Sequence, residues 1–495
     1  SYKEIIEENN SWSYDIVQEK NGTNPKIIIE KNRYYSPDDI LQLIISKLLK
    51  SAEVYLGQPI TKAVITVPAY FNNAQRSSIR NAAKSAGLNI LNIINEPTAA
   101  SLAYGLNKKY KQERLNSFSI FNNSNLLNDD DIIIEDKNII NNNINDIKDK
   151  FIIVFDLGGG TFDVTLLKIV DGELFDIKAT SGNPHLGGDD FDKKIMDHCL
   201  EQFCEKYNLD EENIKLDSKA MNRLKFAAEN AKISLSIMKE TEILIKNFFD
   251  EKMLDIKLKV KQFEFLCTDL FSQLIEPLER TLKDSNLLSK DIREIILVGA
   301  STKMPKIKEI IKNYFKEAVI NDKLDPNETV AIGAAIQAAK LINHDEESIL
   351  NDIVLMDITP FSLGTNVRNF SKDPEIRNKG SKMNIVIPRG YKIPCKKVEM
   401  YETSCDNQSG ITLSIYEGEN KFVKDNHLLG RFDLDGFPKR PKGEIKFECT
   451  FSIDADGILE VKFEETSSKL SNSIKITNDI GYKNNDKSIL DRKSV

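Results

Sequence analysis

The hydrophobic and polar positions of the first hundred residues follow two periods in turn. Apolar side chains recur at helical spacing after Ser36, a suitable N-cap, and Pro37, which fits the first turn of a helix. This spacing predicts helices at 36–56, 73–86 and 98–106. Between them, short apolar runs rich in β-branched residues predict strands at 63–71 and 89–97. Strands that alternate with helices predict an α/β domain.

Residues 107–150 break this pattern. They are rich in Asn, Ile, Asp and Lys, hold no period and contain neither Gly nor Pro. We interpret them as a low-complexity insertion, a surface loop that the fold tolerates, because long surface loops cost little extra entropy.

The α/β pattern resumes at 151–170 with a strand, a Gly-rich turn and a second strand. Further elements are predicted as helices at 218–238, 262–284, from about Pro305 and at 328–342, and as a strand at 291–302. From Asp357 to about Asn478, short alternating segments replace the helical period, and the sequence DADG at 454–457 fits a hairpin turn. This second pattern predicts a separate all-β domain.

Composition narrows the function classes. The 495 residues are 40% hydrophobic and 29% charged, which is ordinary for a globular protein of two or three domains. The net charge of −8 argues against a nucleic-acid binder, for which a basic stripe is typical. No window approaches the roughly 20 apolar residues of a membrane span, and the opening residues, which lack a Met, show no secretory signal. The six cysteines form no CxxC pair, so we interpret them as thiols of a reducing compartment.

The segment FDLGGGTFD at 155–163 carries the strongest signal for chemistry. An apolar strand delivers Asp156 to its end, and three glycines, Thr161 and Asp163 follow. Glycines let a backbone approach a phosphate and point N–H groups at its oxygens, and two nearby carboxylates suit Mg²⁺. A simple Gly-rich hairpin turn is the alternative.

Two weaker signals accompany it. The segment LVGASTKMP at 297–305 places Gly299 after a strand, which fits either a nucleoside site or an ordinary strand-to-helix turn. The segment NEPTAA at 95–100 places Glu96 at a strand end. This carboxylate is positioned either to reach a metal or water, or only to stabilise a helix N-terminus through the helix dipole.

The order and spacing of these segments resemble one family. The α/β part contributes VPAYFNNAQR (67–76), INEPTAASLAYGL (94–106), FDLGGGTFDV (155–164), HLGGDDFD (185–192), ILVGASTKMPK (296–306) and AIGAAIQAA (331–339). The β part contributes DITPFSLGT (357–365), DNQSGITLSIYEGE (406–419), DNHLLGRFDLDG (425–436), FSIDADGILEV (451–461) and IKITND (474–479). Together they resemble the seventy-kilodalton heat-shock proteins, the DnaK-type chaperones, and several segments are similar to the eukaryotic cytosolic branch.

The resemblance implies an α/β, actin-like (ribonuclease H-like) two-lobed ATPase domain, followed by an all-β peptide-binding sandwich. The implied segments are an incomplete first lobe (1–106), the insertion (107–150), a second lobe with a return to the first (151–342), a linker (343–357), the sandwich (358–478) and a polar tail (479–495). The family's helical lid and acidic tail do not appear in this sequence, so we expect bound peptide to leave faster.

By motif, the resemblance also implies ATP or ADP with Mg²⁺ as cofactors. Roles near the metal and the attacking water would fall to Asp156, Asp163, Glu96 and Thr161, with Asp156 as the metal ligand. The nucleotide would be bound by Gly158, Gly159, Gly160, Thr161, Gly187, Gly188, Glu229, Lys232, Ser236, Gly299, Ser301, Lys303 and Asn327. Coupling between domains would involve Pro68, Arg76, Ile353, Val354, Leu355, Met356 and Asp357. An apolar peptide pocket would use Tyr401, Ile411 and Leu413.

Some positions depart from the family pattern. Its first phosphate loop and a later lysine of the first lobe are absent, so we expect poor or no ATP hydrolysis by this chain. Ile233 and Lys303 stand where eukaryotic members often carry arginines that sandwich the base, and Lys cannot stack as a flat cation, so base affinity should fall. Ala300 replaces a glycine, and Asn327 replaces an aspartate. In the β domain, residues 365–382 replace a small apolar segment, and we expect a shift toward acidic or less apolar peptides, with Arg368 in place of an apolar arch residue.

Three functions remain open at this point. The first is an ATP-dependent chaperone of the eukaryotic cytosol, with unfolded or nascent polypeptides, J-domain co-chaperones and nucleotide-exchange factors as partners, and with neither nucleic acid nor membrane. The second is a non-hydrolysing paralogue that acts as a peptide holdase or a nucleotide-exchange partner. The third, an actin-like sugar kinase, is disfavoured because a kinase has no use for a peptide-binding β domain.

Overall fold

Local capping places the first helix where the sequence predicts it. Helix α1 (Pro37–Leu56) begins after Ser36, whose hydroxyl accepts the Asp39 N–H at 3.1 Å, while the Asp39 carboxylate accepts the Ser36 N–H at 2.7 Å. The helix ends at Gly57, which adopts a left-handed φ of 68°.

The computed structural model describes residues 14–19, 25–30, 33–106, 150–170, 174–321, 323–342, 354–367, 380–468 and 470–475. The predicted insertion up to residue 149, Ile353, Arg368 and the polar tail lie outside these ranges. None of the helices in these ranges combines the length and apolar character that a membrane-spanning helix needs. All six cysteines are free thiols.

The remaining helices are α2 (Asn73–Ser85), α3 (96–106), α4 (Gly188–Tyr207), α5 (Glu211–Lys215), α6 (Ser218–Leu235), α7 (Val260–Leu266), α8 (Thr268–Gln273), α9 (Ile275–Asp284), α10 (Pro305–Tyr314) and α11 (Thr329–Ile342). The strands up to the linker are β1 (Asp15–Gln18), β2 (Pro25–Glu30), β3 (Arg33–Tyr35), β4 (Lys62–Val67), β5 (Asn89–Asn95), β6 (Lys150–Leu157), β7 (Phe162–Val170), β8 (Leu174–Asn183), β9 (Glu240–Phe249), β10 (Lys252–Lys259), β11 (Ile292–Val298) and β12 (Val319–Asn321). The linker and β-domain strands are β13 (Val354–Ile358), β14 (Leu363–Val367), β15 (Lys382–Ile387), β16 (Lys392–Ile393), β17 (Cys395–Glu402), β18 (Gly410–Glu417), β19 (His427–Asp435), β20 (Lys446–Ile453), β21 (Leu459–Glu465) and β22 (Ser471–Lys475).

A seven-stranded sheet organises the α/β part, in the order β12-β11-β6-β7-β8-β13-β16. Its two faces are covered by different helices because side chains alternate along a strand. From β6, Ile153 and Phe155 pack into one core with residues of α4, α6, α9 and α10. The neighbouring Ile152 and Val154 pack into a second core with residues of α3 and α11.

The β domain is a sandwich of two four-stranded sheets, β15-β14-β18-β19 and β17-β20-β21-β22. Alternate residues of both sheets meet in one core, which includes Ile415 and Phe432 from the first sheet and Phe451 and Phe463 from the second.

Strand β13 connects the two parts. It pairs in parallel with β8 of the α/β part and antiparallel with β16, which leads into the sandwich, so one sheet continues across the connection. The short apolar run that the sequence shows before Asp357 is therefore observed as a strand from Val354 onward.

Several element limits differ from the predictions for local reasons. The predicted strand 63–71 ends at Val67, because Pro68 cannot continue a ladder. The predicted strand 89–97 ends at Asn95, and the following helix begins at residue 96 rather than 98. The predicted helix 262–284 is three helices, α7 to α9. Pro277 has no N–H to donate to Gln273, which accounts for the break between α8 and α9. The sheet β1-β2-β3 was not predicted.

Candidate functional site

Two buried carboxylates face each other across neighbouring strands. Asp156 near the end of β6 is paired in register with Asp163 on β7, and both side chains are buried. Glu96, the first residue of α3, lies close enough for its charge to raise the pKa of both.

Burial dominates the acid–base properties of this cluster. It raises the pKa of Glu96 and of Asp163 to about 7, and the pKa of Asp156 well above its ordinary value. Asp156 Oδ2 is buried without a hydrogen-bond partner in the described part of the chain. A cation relieves such a cluster, because its charge favours the ionised carboxylates.

The oxygen donors of this cluster fit Mg²⁺. Within the described ranges, no three acidic, His or Cys side chains converge tightly enough to hold a metal by themselves. Mg²⁺ is usually bound by one or two carboxylates together with phosphate oxygens and waters, and the cluster supplies carboxylates of this kind.

Three glycine-containing turns meet beside these carboxylates. The carbonyl of Gly158 accepts the Gly188 N–H at 3.0 Å and the Ser301 hydroxyl at 2.8 Å. The Gly158 N–H in turn donates to the carbonyl of Thr161 at 3.1 Å, which closes the first turn. Gly159 and Gly160 are exposed at its tip.

Close backbone approach explains the glycines of the other two turns. A side chain at Gly187 would collide with the backbone of Gly159, and one at Gly299 would collide with the carbonyl of Leu157. Gly299 also adopts a left-handed φ of 82°. The structure thus brings together turns that lie far apart in sequence.

A buried ion pair borders the turns. Lys232 Nζ on α6 donates to Asp192 Oδ2 on α4 and to the carbonyl of Gly188, both at 2.9 Å. Burial raises the pKa of Asp192 to about 6. Ser236, one turn later, donates to the Lys232 carbonyl at 3.1 Å. Sequence reasoning did not single out Asp192, although it lies in the motif HLGGDDFD.

The other predicted nucleoside residues lie at the surface. Lys303 Nζ pairs with Asp325 Oδ1 at 3.1 Å, and the same oxygen accepts the Asn327 N–H at 3.0 Å. Glu229 is exposed on α6, and Ile233 is 54% exposed. The candidate nucleoside end, at Ile233 and Lys303, therefore presents an aliphatic side chain and an ammonium–carboxylate pair.

Comparison with known proteins gives a consistent result. A family model described as Hsp70 protein matches residues 1–493. A chaperone protein dnaK from Cyanidium caldarium is 41% identical over 481 residues, which are 96% of this chain and 68% of that protein. The heat shock cognate 70 kDa protein 3 of Dictyostelium discoideum is 38% identical over 473 residues, 95% of this chain and 67% of that protein. A heat shock 70 kDa protein of Neurospora crassa is 38% identical over 463 residues, 93% and 64% of the two chains.

This chain belongs to the Hsp70 family. It spans about two thirds of the length of these relatives. The α/β part and the sandwich agree with the ATPase domain and β-sandwich that the family implies.

In this Hsp70 chain, a buried arginine lies where the α/β part meets the sandwich. Arg76 on α2 donates to Asn95 Oδ1 at 2.5 Å and to the carbonyl of Phe71 at 3.1 Å. Asn95 and Thr98 both donate to Asp357 Oδ2 of strand β13, each at 2.9 Å. Arg76 and the linker are thus connected through one amide side chain.

The sandwich places a buried acid beside the same arginine. Glu417 at the end of β18 accepts the Asn73 side-chain amide at 3.1 Å. Burial raises the pKa of Glu417 to about 7, although the charge of Arg76 acts in the opposite direction.

Two cations complete the interface: Arg389 in the β15–β16 connection and Lys392 at the start of β16. Arg389 forms an ion pair with Asp284 and donates to the carbonyl of Thr180 at 2.9 Å. Lys392 forms an ion pair with Asp176 of β8 across strand β13, and donates to the Ile177 carbonyl at 2.6 Å. Val354 and Met356 of that strand are 48% and 37% exposed, and Leu355 packs against the second core.

The predicted peptide-binding residues lie on the sandwich. Leu413 is buried within its core, whereas Tyr401 and Ile411 are partly buried at the margin of that core. The Tyr401 hydroxyl is hydrogen-bonded to the Thr365 hydroxyl at 2.5 Å. Tyr401 and Ile411 are therefore the two members that reach the surface.

Proposed function

We propose that this chain carries the nucleotide-binding and peptide-binding parts of an ATP-dependent molecular chaperone. The nucleotide-binding part comprises the first lobe (1–106), the insertion (107–150), and the second lobe with a return to the first (151–342). Residues 343–357 are the linker, and 358–478 bind extended apolar segments of unfolded proteins. The observation that carries the proposal is the meeting of three glycine turns beside a buried carboxylate cluster, in a chain of the Hsp70 family.

In this proposal the glycine turns bind phosphate through backbone N–H groups. Gly159 and Gly160 at the exposed tip of the first turn have room for phosphate oxygens, and the half-buried Thr161 follows them. Gly187, Gly188 and Gly299 hold the turns together. Lys232 and Ser301 border the same space, and Glu229, Ser236, Lys303 and Asn327 face the nucleoside end.

The carboxylates have distinct proposed roles. Asp156 holds Mg²⁺, and Glu96 and Asp163 position waters near it, one of which is the attacking water. When bound, Mg²⁺ neutralises phosphate charge. Burial raises the pKa of Glu96 and Asp163 to about 7 in the absence of a cation, and a bound cation would favour their ionised forms, in which a carboxylate can accept a proton from water.

The docked linker supports a coupling role for the interface. Because β13 pairs with both parts, its separation from β8 would remove one of the connections that hold the sandwich on the α/β part. We propose that Pro68, Arg76, Asp357 and the linker residues 353–356 transmit nucleotide state to the peptide site.

Calorimetric titration with ATP and Mg²⁺ tests the nucleotide site. We expect Asp156→Asn to weaken Mg²⁺-dependent binding strongly, whereas Asp189→Asn, an exposed control in the first turn of α4, retains it. If the wild-type chain binds no ATP, or if the two variants behave alike, the nucleotide proposal is wrong for this chain.

Fluorescence anisotropy with a labelled apolar peptide tests the sandwich. We expect Ile411→Ser to weaken peptide binding by about tenfold, because a buried aliphatic contact contributes about 1.5 kcal/mol or more. Thr412→Ser, at the exposed neighbouring position, serves as the control. Equal binding by both variants would show that the peptide lies elsewhere.

We propose unfolded or nascent polypeptides, J-domain co-chaperones and nucleotide-exchange factors as partners, in the eukaryotic cytosol. The names of the relatives favour the chaperone over a non-hydrolysing paralogue. A single-turnover ATPase assay on this chain separates these two functions, because only the chaperone requires hydrolysis.

A further inference from the structure

One buried amide side chain connects three elements of the molecule. Asn92 of β5 is only 7% exposed. Its oxygen accepts a hydrogen bond from Gln337 Nε2 of helix α11 at 3.0 Å, and its nitrogen donates to Asp456 Oδ1 of the sandwich at 2.5 Å. These two partners fix the orientation of the amide, since only the oxygen can accept and only the nitrogen can donate.

Asp456 lies at the tip of the hairpin between β20 and β21, the DADG turn of the sequence. The same Oδ1 atom accepts the backbone N–H of Ile93 at 2.8 Å, so the tip contacts the edge of β5. Arg80 of α2 forms an ion pair with the other carboxylate oxygen. Asp456 thus makes three of the contacts through which the hairpin meets the α/β part, with Asn92, Ile93 and Arg80.

The hairpin tip keeps its shape through its own bonds. Asp454 Oδ1 accepts the Asp456 N–H at 3.0 Å and the Ile458 N–H at 2.9 Å, and Gly457 adopts a left-handed φ of 74°. A turn ordered in this way presents Asp456 as a fixed acceptor, so a change in docking moves the tip as a unit.

Helix α11 connects this junction to the candidate nucleoside end. At its start, the Thr329 hydroxyl donates to the carbonyl of Asp325 at 2.6 Å, and Asp325 is the partner of Lys303. In its middle, Gly333 is packed so closely on Ala99 of α3 that a side chain would not fit. The helix ends at Ile342, shortly before the linker. Gln337 therefore lies on an element that contacts both the candidate site and the helix that carries Glu96.

We propose that Asn92 and Gln337 are positioning residues that couple docking of the hairpin tip to the placement of helix α11. When the tip leaves, the Asn92 amide loses its acceptor and the Ile93 N–H loses its partner, so the hydrogen bond to Gln337 no longer has a fixed direction. This inference goes beyond the proposed function and rests on domain docking rather than on nucleotide turnover. The coupling by Asn92 and Gln337 can therefore be disproved while the proposed function stands, and the proposed function can be disproved while this coupling stands.

Amide hydrogen exchange of the full chain, read by mass spectrometry, tests the proposal. Asn92→Asp is nearly isosteric but places a carboxylate against Asp456. We expect exchange to rise about tenfold in the hairpin 454–457 and also in α11, because a buried group facing a like charge is destabilised by 1.4 kcal/mol or more. Asn89→Asp, an exposed change on the same strand, should leave both segments unchanged.

A second variant distinguishes coupling from local damage. Gln337→Met removes the donor without touching the hairpin, and we expect a several-fold rise in exchange at the hairpin, across the domain boundary. The double variant Asn92→Asp with Asp456→Asn removes the like-charge repulsion but leaves the Ile93 N–H or Arg80 without its acceptor, so we expect partial recovery of protection relative to Asn92→Asp alone. Far-UV circular dichroism of each variant shows that it is folded.

Three results would overturn the proposal. They are an unprotected hairpin in the wild-type chain, no response of the hairpin to Gln337→Met, and a double variant no better protected than Asn92→Asp alone.

Discussion

The Asp163 carboxylate accepts a hydrogen bond from the backbone N–H of Ala69, at 3.2 Å. Asp163 belongs to the buried carboxylate cluster, and Ala69 follows Pro68 in the turn between β4 and α2. The same helix α2 carries Arg76, seven residues further on, at the interface with the sandwich. A single hydrogen bond therefore connects the candidate metal site to the segment that leads to the domain interface.

Replacing the Asp163 carboxylate by an amide should stabilise the folded protein and impair the candidate metal site. Asp163→Asn keeps an oxygen for the Ala69 N–H but removes a buried charge that Glu96 repels. We expect the melting temperature in EDTA to rise by about 2–4 °C, and Mg²⁺-dependent ATP affinity to fall. Differential scanning fluorimetry and calorimetric titration measure the two effects. A lower melting temperature would show that the charge is compensated in the folded chain.

Two glycines of the candidate site should respond differently to a methyl group. Gly187→Ala brings Cβ against the backbone of Gly159, and overpacking of this kind costs about 1–3 kcal/mol. Gly159→Ala meets no atom within 4 Å. We therefore expect chemical denaturation to show lower stability only for Gly187→Ala. Phosphate affinity should fall in both variants. An unchanged affinity in Gly159→Ala would show that the tip of the turn does not contact phosphate.

Docking of the sandwich should weaken as the pH rises. Burial raises the pKa of Glu417 from 4.5 to about 7, so the docked state holds its proton more tightly than an undocked state with an exposed Glu417. The contribution to docking is present below the ordinary pKa and is lost as the pH passes through about 7. Burial also raises the pKa of Asp357, so this group changes docking with pH in the same direction as Glu417. The positive charge of Arg76 acts against the rise of the pKa in both groups.

The measurement is the rate of proteolytic cleavage in the linker between pH 6 and pH 8, corrected for the protease's own pH profile on an unstructured peptide. Cleavage should increase with pH in the wild type, and Glu417→Gln should show a flatter profile. A wild-type profile as flat as that of the variant would contradict this assignment.

Charge reversal at Lys392 should open the linker. Lys392 and Asp176 lie on strands that flank β13 on opposite sides, so their ion pair crosses the linker strand. Lys392→Glu should speed linker cleavage several-fold at low salt, and Asp176→Lys in the same chain should restore protection. Because Lys392 is 37% exposed, the difference should shrink at 1 M salt. Lys396→Glu, an exposed change on β17, provides the control.

Much of this molecule follows from short-range sequence patterns. Ser36 and Asp39 cap α1 where the helical spacing begins, and DADG turns where the alternating pattern breaks. The segment around Asp156 and Asp163 also follows directly from the sequence, because adjacent strands joined by a tight turn must place facing residues together. Such features depend on neighbours in the chain, and the chain order alone specifies them.

The domain interface and part of the candidate site depend on contacts between segments that are distant in the chain. The sequence around Glu417 does not indicate that this acid is buried beside Arg76, and the sequence around Lys392 does not indicate an ion pair with Asp176. In each case the partner lies more than 200 residues away in the chain. Asp192 and Asp325 came to the candidate site only because α4 and the segment before α11 pack against the same sheet. The sequence by itself determined the two domain types and the glycine-rich turn. Only the tertiary structure decided which buried charges face each other, because burial and pairing energies depend on the packed neighbours rather than on the order of residues.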